Sequence, residues 1–313
     1  MKLSVCLTTY NHEKFIREAI DSVLSQKTDF EFELLIGEDD SSDNTRAIVT
    51  EYKSSNPDKI VLFLHNREDV IYINGRPTGR HNYLNNLRHA KGEYIAVLDG
   101  DDFWTDPYKL QKQIDFLDEN LDYSASFHNV YIGKDNLETK KLYSNADSDF
   151  DLELRDFLIK NQGPTVSLVF RNPYLTEFPD TFYTCPVEDW LMNVFLVQHG
   201  KIRFMHEVMG YYRKHDSGVW SGVNDVEKMI INEQCFHAID EFTQRKYRSI
   251  LMRGLLYRYL SFSDRSLMHK NYQNFKRFTL SAIHLLRYSC VKGLLRVCYL
   301  CVKSIYSRLA VDR

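Results

Sequence analysis

Residues 94–102 read YIAVLDGDD, an apolar run that is followed at once by the three carboxylates of Asp99, Asp101 and Asp102. A short apolar run bounded by turn residues predicts a buried strand. Carboxylates this close together repel one another unless a positive charge lies among them. Mg²⁺ or Mn²⁺, which prefer oxygen ligands, would supply that charge. The alternative is a solvated acidic turn that caps the next helix.

Apolar runs alternate with helical patterns along the first part of the chain. Leu3 to Leu7, Phe32 to Ile36 and Ile60 to Leu64 predict three further strands. Asn11 is the expected N-cap of a helix from His12 to Gln26. Strands that alternate with helices at this spacing predict an α/β fold, a mostly parallel sheet flanked by helices. Such sheets bind ligands beyond the carboxyl ends of their strands, which is where the acidic residues lie.

Charge divides the chain of 313 residues into two regions. From Thr243 onward, 15 Lys and Arg stand against two acidic residues, a net charge of +13, whereas the preceding residues carry −16. The helical pattern of this part begins earlier, at Asp225. We therefore predict an α/β domain over residues 1–224 and an all-helical, basic region over residues 225–313. An asymmetry this large indicates two different partners.

The sequence gives no sign of secretion or of a membrane span. Six scattered cysteines suggest no disulfide framework. The apolar run at the N-terminus is shorter than the ~7–15 residues of a signal peptide. No stretch reaches the ~18 apolar residues of a transmembrane helix. We expect a cytoplasmic protein without a nucleic-acid partner.

A second acidic cluster, GEDDSSD at residues 37–43, follows the strand predicted at residues 32–36. Asp43 is expected to cap the following helix, which leaves Asp39 and Asp40 without a structural role. A carboxylate at a strand end can accept the N3–H of a uracil or thymine ring. The alternative is an ordinary polar loop.

Three further groups carry weaker signals. Tyr10, at the end of the first strand, would offer a stacking surface for a base, or is a partly buried surface aromatic. Glu188 and Asp189 open a predicted helix, where acidic residues also simply suit the helix dipole. Arg213 and His215 could supply a cation and an imidazole to a diphosphate or a metal ion. Two short strands, 202–205 and 208–212, are predicted just before them.

Taken in order, these motifs resemble glycosyltransferase family 2, an inverting family with a GT-A, Rossmann-like fold. The matching text is SVCLTTYNHEKFIREAIDSVLSQ, ELLIGEDDSSDNT, AKGEYIAVLDGDDFWTDPYKLQKQIDFL, VEDWLM and YYRKH. The resemblance covers about residues 1–220 and is most specific through residue 120.

The resemblance implies a donor site built from strand ends. Thr8 and Tyr10 would contact the nucleotide base, and Asp39 would hold its N3–H. Asp99 would reach the ribose or help to bind the diphosphate. The donor would be a nucleotide-diphosphate sugar, with UDP as the expected nucleotide.

The resemblance also implies a metal and an acceptor side. Asp101 would be the principal ligand of Mg²⁺ or Mn²⁺, with His215 as a further ligand. Asp189 would be the general base, and Glu188 would shape the acceptor pocket. The acceptor would be a saccharide or a lipid-linked hydroxyl, as in cell-surface polysaccharide biosynthesis.

Two other functions are alternatives to sugar transfer. A sugar-phosphate nucleotidyltransferase would need a glycine-rich phosphate loop after the first strand, and residues 8–12, TTYNH, contain no glycine. A catalytically inactive, membrane-docked scaffold would not need carboxylates at all of the expected positions, which argues against that alternative.

The C-terminal sequence predicts an interfacial helix from Ser289 to Leu309. At ~100° per residue, Lys292, Arg296, Tyr299 and Lys303 fall on one stripe, and apolar residues cover most of the remainder. This pattern predicts peripheral attachment to an anionic membrane, at the inner face of the cell membrane. The alternative is that these helices pack on the α/β domain or form an oligomer interface.

Overall fold

The computed structural model describes residues 1–134, 140–172, 177–215, 223–269, 271–288 and 295–300. The chain forms two compact units. The first comprises Met1–Leu154, Gln162–Tyr183 and Met192–Ser221, and the second comprises Arg155–Asn161, Thr184–Leu191 and Gly222–Arg313. Arg155–Asn161 and Thr184–Leu191 thus belong to the second unit although they precede residue 224. The domain limits expected from the sequence, 1–224 and 225–313, remain a prediction.

The β-strands span two to seven residues, apart from the two that begin at Tyr123 and Lys201. Their bounds are β1 Leu3–Thr9, β2 Phe32–Glu38, β3 Ile60–Leu64, β4 Tyr72–Ile73, β5 Arg76–Pro77, β6 Tyr94–Asp99, β7 Phe103–Trp104, β8 Tyr123–Gly133, β9 Lys141–Leu142, β10 Phe150–Leu152, β11 Val169–Arg171 and β12 Lys201–Arg213.

The longest helices come last along the chain. The helix bounds are α1 Ile16–Leu24, α2 Thr45–Ser55, α3 Arg80–His89, α4 Lys109–Glu119, α5 Leu154–Ile159, α6 Thr181–Thr184, α7 Glu188–Val197, α8 Asp225–Phe242, α9 Arg248–Met268 and α10 Tyr272–His284. A 3-10 helix, Arg67–Asp69, lies between β3 and β4.

One ten-stranded sheet organises the first unit, in the order β10-β12-β8-β11-β6-β1-β2-β3, with β7 and β9 paired to β12 and β8. The strands β6, β1, β2 and β3 are parallel, as are β8 and β12. Strand β11 runs antiparallel between β6 and β8. The predicted mostly parallel sheet flanked by helices is therefore confirmed.

The central strands are buried along nearly their whole length, which explains their almost continuous apolar sequences. Helix α3 packs on β1 and β2, helix α2 on β3, and helix α4 on β8. Leu110, Ile114 and Leu117 of α4 lie at helical spacing and enter the same core as Val5 and Leu7 of β1. This core fixes the strand ends at which the candidate site lies.

Two boundaries differ from those expected. Helix α1 begins at Ile16, four residues later than predicted, because Asn11 adopts a left-handed φ of 54° and accepts from the Ser42 N–H at 2.8 Å. The two strands predicted at residues 202–205 and 208–212 form one strand, β12. Its register against β8 shifts between Met205 and Val208, so a bulge accommodates the intervening polar residues without ending the strand.

The second unit is mainly helical, as the pattern beyond Asp225 predicts. Helices α8 and α10 both pack on α9. The Trp190 indole donates to the Phe157 carbonyl at 2.6 Å and meets the Phe236 ring edge to face at 5.2 Å. Of the predicted interfacial helix, only residues 295–300 are described, and they are helical. Within the described ranges, no helix has both the length and the apolar character that crossing a bilayer requires.

Candidate active site

The carboxyl ends of three neighbouring strands bring the expected donor-binding residues together. Thr8 of β1 is in register with Gly37 of β2 and with Asp99 of β6. The Asp39 N–H, just past the end of β2, donates to the Thr9 carbonyl at 3.1 Å. Parallel α/β sheets bind ligands at this edge. Thr8, Asp39 and Asp99 therefore share the edge at which a ligand is expected.

The acidic turn after β6 places its carboxylates in different surroundings. Asp99 Oδ1 accepts a hydrogen bond of 2.8 Å from Thr8 Oγ1. Asp101 Oδ2 lies 2.8 Å from His215 Nε2 and 4.0 Å from His12 Nε2. Burial alone would raise the pKa of Asp101, but the hydrogen bond with His215 and the charge of His12 outweigh it and lower that pKa. Asp101 is therefore an ionised carboxylate at neutral pH.

Asp102 differs from its neighbours because it is only 1% exposed. Its Oδ1 accepts a hydrogen bond of 2.7 Å from the Arg213 N–H. Burial, together with the charges of Asp101 and Asp99, raises the pKa of Asp102 well above its usual value. Asp102 thus joins the turn to the end of β12, and it is Asp99 and Asp101 that remain suited to bind a cation.

Arg213 holds the end of β12 against the acidic turn. Its guanidinium donates to the Asp101 carbonyl oxygen and to the Glu18 carboxylate. It also lies over two aromatic rings, with the Phe15 ring centroid at 4.7 Å. Stacking and hydrogen bonding of this kind exploit the planar, permanently charged guanidinium. Because Arg213 is fixed in this way, His215 is held beside Asp101.

His12 belongs to this site, although the sequence did not single it out. Its Nδ1 lies 3.3 Å from Thr9 Oγ1, and its ring stands edge to face with that of His215 at 6.4 Å between centroids. Burial lowers the pKa of His12, even though Asp101 acts in the opposite direction. The available signal was its place in the strand-end text TTYNH, directly after β1.

Asp39 carries a buried oxygen that lacks a donor. The residue is 3% exposed, and its Oδ1 has no hydrogen-bond partner in the part of the chain that the structure describes. Burial raises the pKa of Asp39, although Arg67, whose guanidinium lies 3.8 Å from Oδ2, lowers it. An unsatisfied buried acceptor costs free energy. Asp39 is therefore suited to accept an N–H from a bound ligand.

Arg67 also lies over Tyr10, with 4.4 Å between the guanidinium and the ring centroid. Tyr10 is 37% exposed, so its ring is accessible at the surface. The sequence did not single out Arg67, because it follows β3 within a polar stretch without a motif. The structure thus brings a cation, a phenol ring and the Asp39 carboxylate together at one end of β1 and β2.

The other acidic residues after β2 have structural roles. Asp43 Oδ1 accepts from the Thr45 N–H at 2.9 Å at the start of α2, which agrees with its expected capping role. Asp40, expected to have no structural role, adopts a left-handed φ of 59° and accepts from the Arg67 N–H at 3.2 Å. The expectation for Asp40 was wrong because its partner, the Arg67 N–H, begins the 3-10 helix after β3, 27 residues further along the chain. Asp40 helps to hold Arg67 beside the site.

Glycine at position 37 allows α3 to approach the sheet edge closely. Asn82 Nδ2 donates to the Gly37 carbonyl at 2.7 Å, and a Cβ atom on Gly37 would lie 1.6 Å from Asn82 Oδ1. Asn86 Nδ2 donates to the Leu7 carbonyl at 2.9 Å. These two buried asparagines therefore anchor α3 beneath the ends of β1 and β2.

Glu188 and Asp189 lie in the second compact unit, whereas the other expected site residues lie in the first. They begin helix α7, as the sequence indicates. Asp189 Oδ2 accepts from Asn161 Nδ2 at 2.9 Å, and its Oδ1 accepts from the Trp190 N–H at 2.9 Å. Both oxygens of Asp189 are thus oriented by groups of its own unit.

The donor atoms around Asp101 fit a divalent cation whose coordination is completed by other molecules. Asp101 offers an ionised oxygen, which suits Mg²⁺ or Mn²⁺, and His215 offers a nitrogen 2.8 Å from it. Asp101 is not part of a group of three closely spaced metal-ligating side chains among the described residues. Mg²⁺ commonly binds through one or two carboxylates together with water and substrate phosphates. A cation would therefore bind here most strongly together with a diphosphate.

Several known proteins are similar to this chain. An uncharacterized protein of Mycobacterium tuberculosis is 32% identical over 228 residues, which is 70% of this chain and 60% of that protein. This chain thus spans about 60% of the length of that relative. GalNAc(5)-diNAcBac-PP-undecaprenol beta-1,3-glucosyltransferase of Campylobacter jejuni is 28% identical over 250 residues, 74% of this chain and 75% of that protein.

A solved structure shares the fold. The crystal structure of S. aureus TarS 1–349 in complex with UDP-GlcNAc matches with a TM-score of 0.67 at 19% identity, covering 97% of this chain and 88% of that chain. The predicted GT-A fold is confirmed by this likeness.

The sequence profile described as Glycosyl transferase family 2 matches residues 4–174, more than half of the chain. This range contains β1, β2 and β6 and therefore the whole strand-end edge with Thr8, Asp39 and Asp101. The chain belongs to glycosyl transferase family 2.

Proposed function

We propose that this protein transfers a sugar from a UDP-sugar donor to an acceptor hydroxyl, with inversion at the anomeric carbon and with a divalent metal ion bound. The observation that carries the proposal is the pairing of Asp101 with His215 at the sheet edge that also presents Asp39. An ionised carboxylate and an imidazole at one end of this edge suit a metal–diphosphate group. The unsatisfied oxygen of Asp39, at the other end of this edge, suits a nucleotide base.

The nucleotide would bind across the ends of β1 and β2. Asp39 Oδ1 would accept the N3–H of uracil, because this buried oxygen has no partner among the described side chains and backbone groups. Tyr10 and Thr8 would contact the base, and Arg67 would supply positive charge beside it. Asp99, which Thr8 holds at 2.8 Å, would reach the ribose or the diphosphate.

The reaction would be a single in-line displacement. The acceptor oxygen forms a bond to the anomeric carbon as the bond from that carbon to the diphosphate oxygen breaks, and Asp189 takes the acceptor proton. General-base help of this kind is worth about 10²–10⁴ in rate. The hydrogen bonds from Asn161 and from the Trp190 N–H would orient Asp189 for this task. Glu188 would shape the acceptor pocket.

Asp101, with His215 as a further ligand, would hold Mg²⁺ or Mn²⁺. When bound, such an ion neutralises the charge that builds up on a departing diphosphate. Arg213 and Asp102 do not bind the ion in this proposal. They hold the two ligands face to face, which reduces the reorganisation needed on binding.

The acceptor would be a saccharide or a lipid-linked hydroxyl in cell-surface polysaccharide biosynthesis, reached at the inner face of the cell membrane. Support comes from charge, because eight basic side chains of the described C-terminal helical region are exposed: Arg245, Lys246, Arg253, Arg265, Lys276, Arg277, Arg287 and Arg296. Each Lys or Arg near an anionic leaflet contributes about 1 kcal/mol. The Campylobacter relative, whose acceptor contains undecaprenol, supports a lipid-linked acceptor.

The direct test is the release of nucleoside diphosphate from a panel of UDP- and GDP-sugars with Mn²⁺, Mg²⁺ or chelator. We expect release from a UDP-sugar with metal, faster when a saccharide acceptor is added. Binding of UDP without any release from the panel would favour the scaffold. Pyrophosphate release from a nucleoside triphosphate and a sugar phosphate would favour the nucleotidyltransferase.

A further inference from the structure

A second group of metal-ligating side chains lies outside the Asp101 site. His65, Asp69 and His81 offer ligand atoms that all lie within 4.8 Å of one another. Across the described ranges, no other group of three or more His, Cys, Asp or Glu side chains meets this criterion. Such clustering of nitrogen and oxygen ligands from separate segments is the arrangement that a metal site requires.

Each of the three residues is held by local backbone structure. His65 follows β3 and its N–H donates to the Glu38 carbonyl at 2.9 Å. Asp69 ends the 3-10 helix, where its Oδ2 lies 3.4 Å from the Asn66 N–H. His81 is the second residue of α3. Metal sites built on defined elements of this kind keep their ligand geometry better than sites on loose loops.

The imidazole rings of His65 and His81 lie close together. They stand edge to face, with 4.9 Å between centroids. His65 is 8% exposed, and its Nε2 has no hydrogen-bond partner within the described residues. A neutral imidazole offers the lone pair of one ring nitrogen to a metal ion. An unsatisfied buried nitrogen costs free energy unless a ligand occupies it.

We propose that His65, Asp69 and His81 bind a divalent transition-metal ion, with Zn²⁺ as the best chemical match. Two imidazole nitrogens and one carboxylate oxygen are ligands that zinc prefers, whereas Mg²⁺ prefers oxygen alone. Three protein ligands leave one position of a tetrahedral zinc site for water. This ion would be distinct from the one proposed at Asp101.

The bound ion would join the 3-10 helix to the start of α3. Arg67, the first residue of that 3-10 helix, lies between two of the ligands in sequence and contacts Tyr10. Zinc would therefore restrict the backbone that carries Arg67. Because an ion that binds only the folded state stabilises it, Zn²⁺ would raise the melting temperature.

The test is Zn²⁺ titration of the metal-depleted full chain by calorimetry, without nucleotide. A background variant with Asp101→Asn and His215→Ala removes zinc binding at the first site. We expect this background to bind one Zn²⁺, and Co²⁺ in its place to show the absorption of a tetrahedral ion with nitrogen ligands.

Two variants and two matched controls, made in that background, decide the proposal. Asp69→Asn and His81→Ala should each weaken Zn²⁺ binding by at least about tenfold. Glu68→Gln and His89→Ala, which change an exposed acidic residue of the same 3-10 helix and an exposed histidine of α3, should bind as the background does. Unchanged affinity in Asp69→Asn would overturn the proposal even if His81→Ala fails to fold, because Asn retains an oxygen that can accept from the Asn66 N–H.

Discussion

Asp102 Oδ1 accepts a hydrogen bond of 2.7 Å from the N–H of Arg213, which lies 111 residues later in the chain. This bond joins the acidic turn after β6 to the end of β12. As a result, Asp101 and His215, which flank the joined residues, face each other at 2.8 Å. The buried carboxyl thus positions the two groups to which we assign metal binding.

Asp102→Asn should remove a pH-dependent loss of stability. The pKa of Asp102 is raised in the folded chain, by burial first and then by Asp101. The stability linked to its proton is fully present below the ordinary carboxyl pKa and is lost as the pH rises toward the raised value. Asn keeps an oxygen for the Arg213 N–H and cannot ionise. The variant should therefore lose less stability than the wild type between about pH 4 and pH 7.

Urea unfolding midpoints at both pH values, in chelator, measure this effect. Asp115→Asn, at an exposed position of α4, is the control and should follow the wild type. If Asp102→Asn shows the same change in midpoint as the wild type, burial of an ionisable carboxyl does not cost the folded chain stability at neutral pH.

Asp39→Ala should weaken UDP binding by about 10–100-fold, because the uracil N3–H would lose its buried acceptor. Calorimetry with UDP and GDP in the presence of Mn²⁺ measures the effect, and the wild type should prefer UDP. Asp58→Ala, an exposed residue before β3, should leave UDP affinity unchanged. Tighter binding of GDP than of UDP by the wild type would contradict the proposed role of Asp39.

Asp189→Asn should lower kcat for sugar transfer by about 10²–10⁴-fold and leave the Kd of the UDP-sugar nearly unchanged, because a base acts on the acceptor. The neighbouring Glu188→Gln should instead raise the KM for the acceptor. Single-turnover kinetics and calorimetry separate the two effects. If Asp189→Asn kept its kcat and lost donor affinity, Glu188 would become the first candidate for the base.

Charge reversal on the C-terminal helices should reduce attachment to anionic vesicles. Lys276→Glu combined with Arg277→Glu, at exposed positions of α10, should weaken flotation with phosphatidylglycerol vesicles at least about tenfold. The same reversal at Lys27 and Lys91, exposed residues of the first unit, is the control. Failure of the wild-type protein to bind either anionic or neutral vesicles would exclude membrane docking by these helices.

The strand-end carboxylates could be predicted because their position follows from local text alone. Asp39 and Asp101 come directly after buried apolar runs, and parallel strands bring such ends to one edge. The family motifs then supplied His215. The structural role of Asp102 could not be predicted, because its partner Arg213 lies far along the chain and is brought to the acidic turn by the pairing of β12 with β7.

Contacts between segments that lie far apart in the sequence could not be predicted for the same reason. His12 and Arg67 complete the site, yet neither stands in a pattern that spacing alone can interpret. Asp40 was expected to have no structural role because its partner, the Arg67 N–H, belongs to the segment after β3. The break expected within β12 is absent, because a bulge accommodates the polar residues that interrupt the alternating strand pattern.

The most specific prediction about the metal ion concerns Asp101, because its ionised carboxylate lies 2.8 Å from His215 Nε2. Asp101→Asn should abolish the dependence of donor binding on metal and lower transfer on the order of 10²-fold or more. The fold should be retained, because Asn can still accept from His215 Nε2 once that nitrogen carries a proton. Asp115→Asn again provides the matched control.

Calorimetric titration of a UDP-sugar into the wild type and into Asp101→Asn, each with Mn²⁺ and with chelator, is the most direct measurement of the proposed site. By linkage, the donor and the metal should strengthen each other's binding in the wild type. We predict that Mn²⁺ raises donor affinity at least about tenfold in the wild type and has no effect in Asp101→Asn. Equal donor affinity with Mn²⁺ and with chelator in the wild type, or an undiminished effect of Mn²⁺ in Asp101→Asn, would contradict a metal–diphosphate site at Asp101.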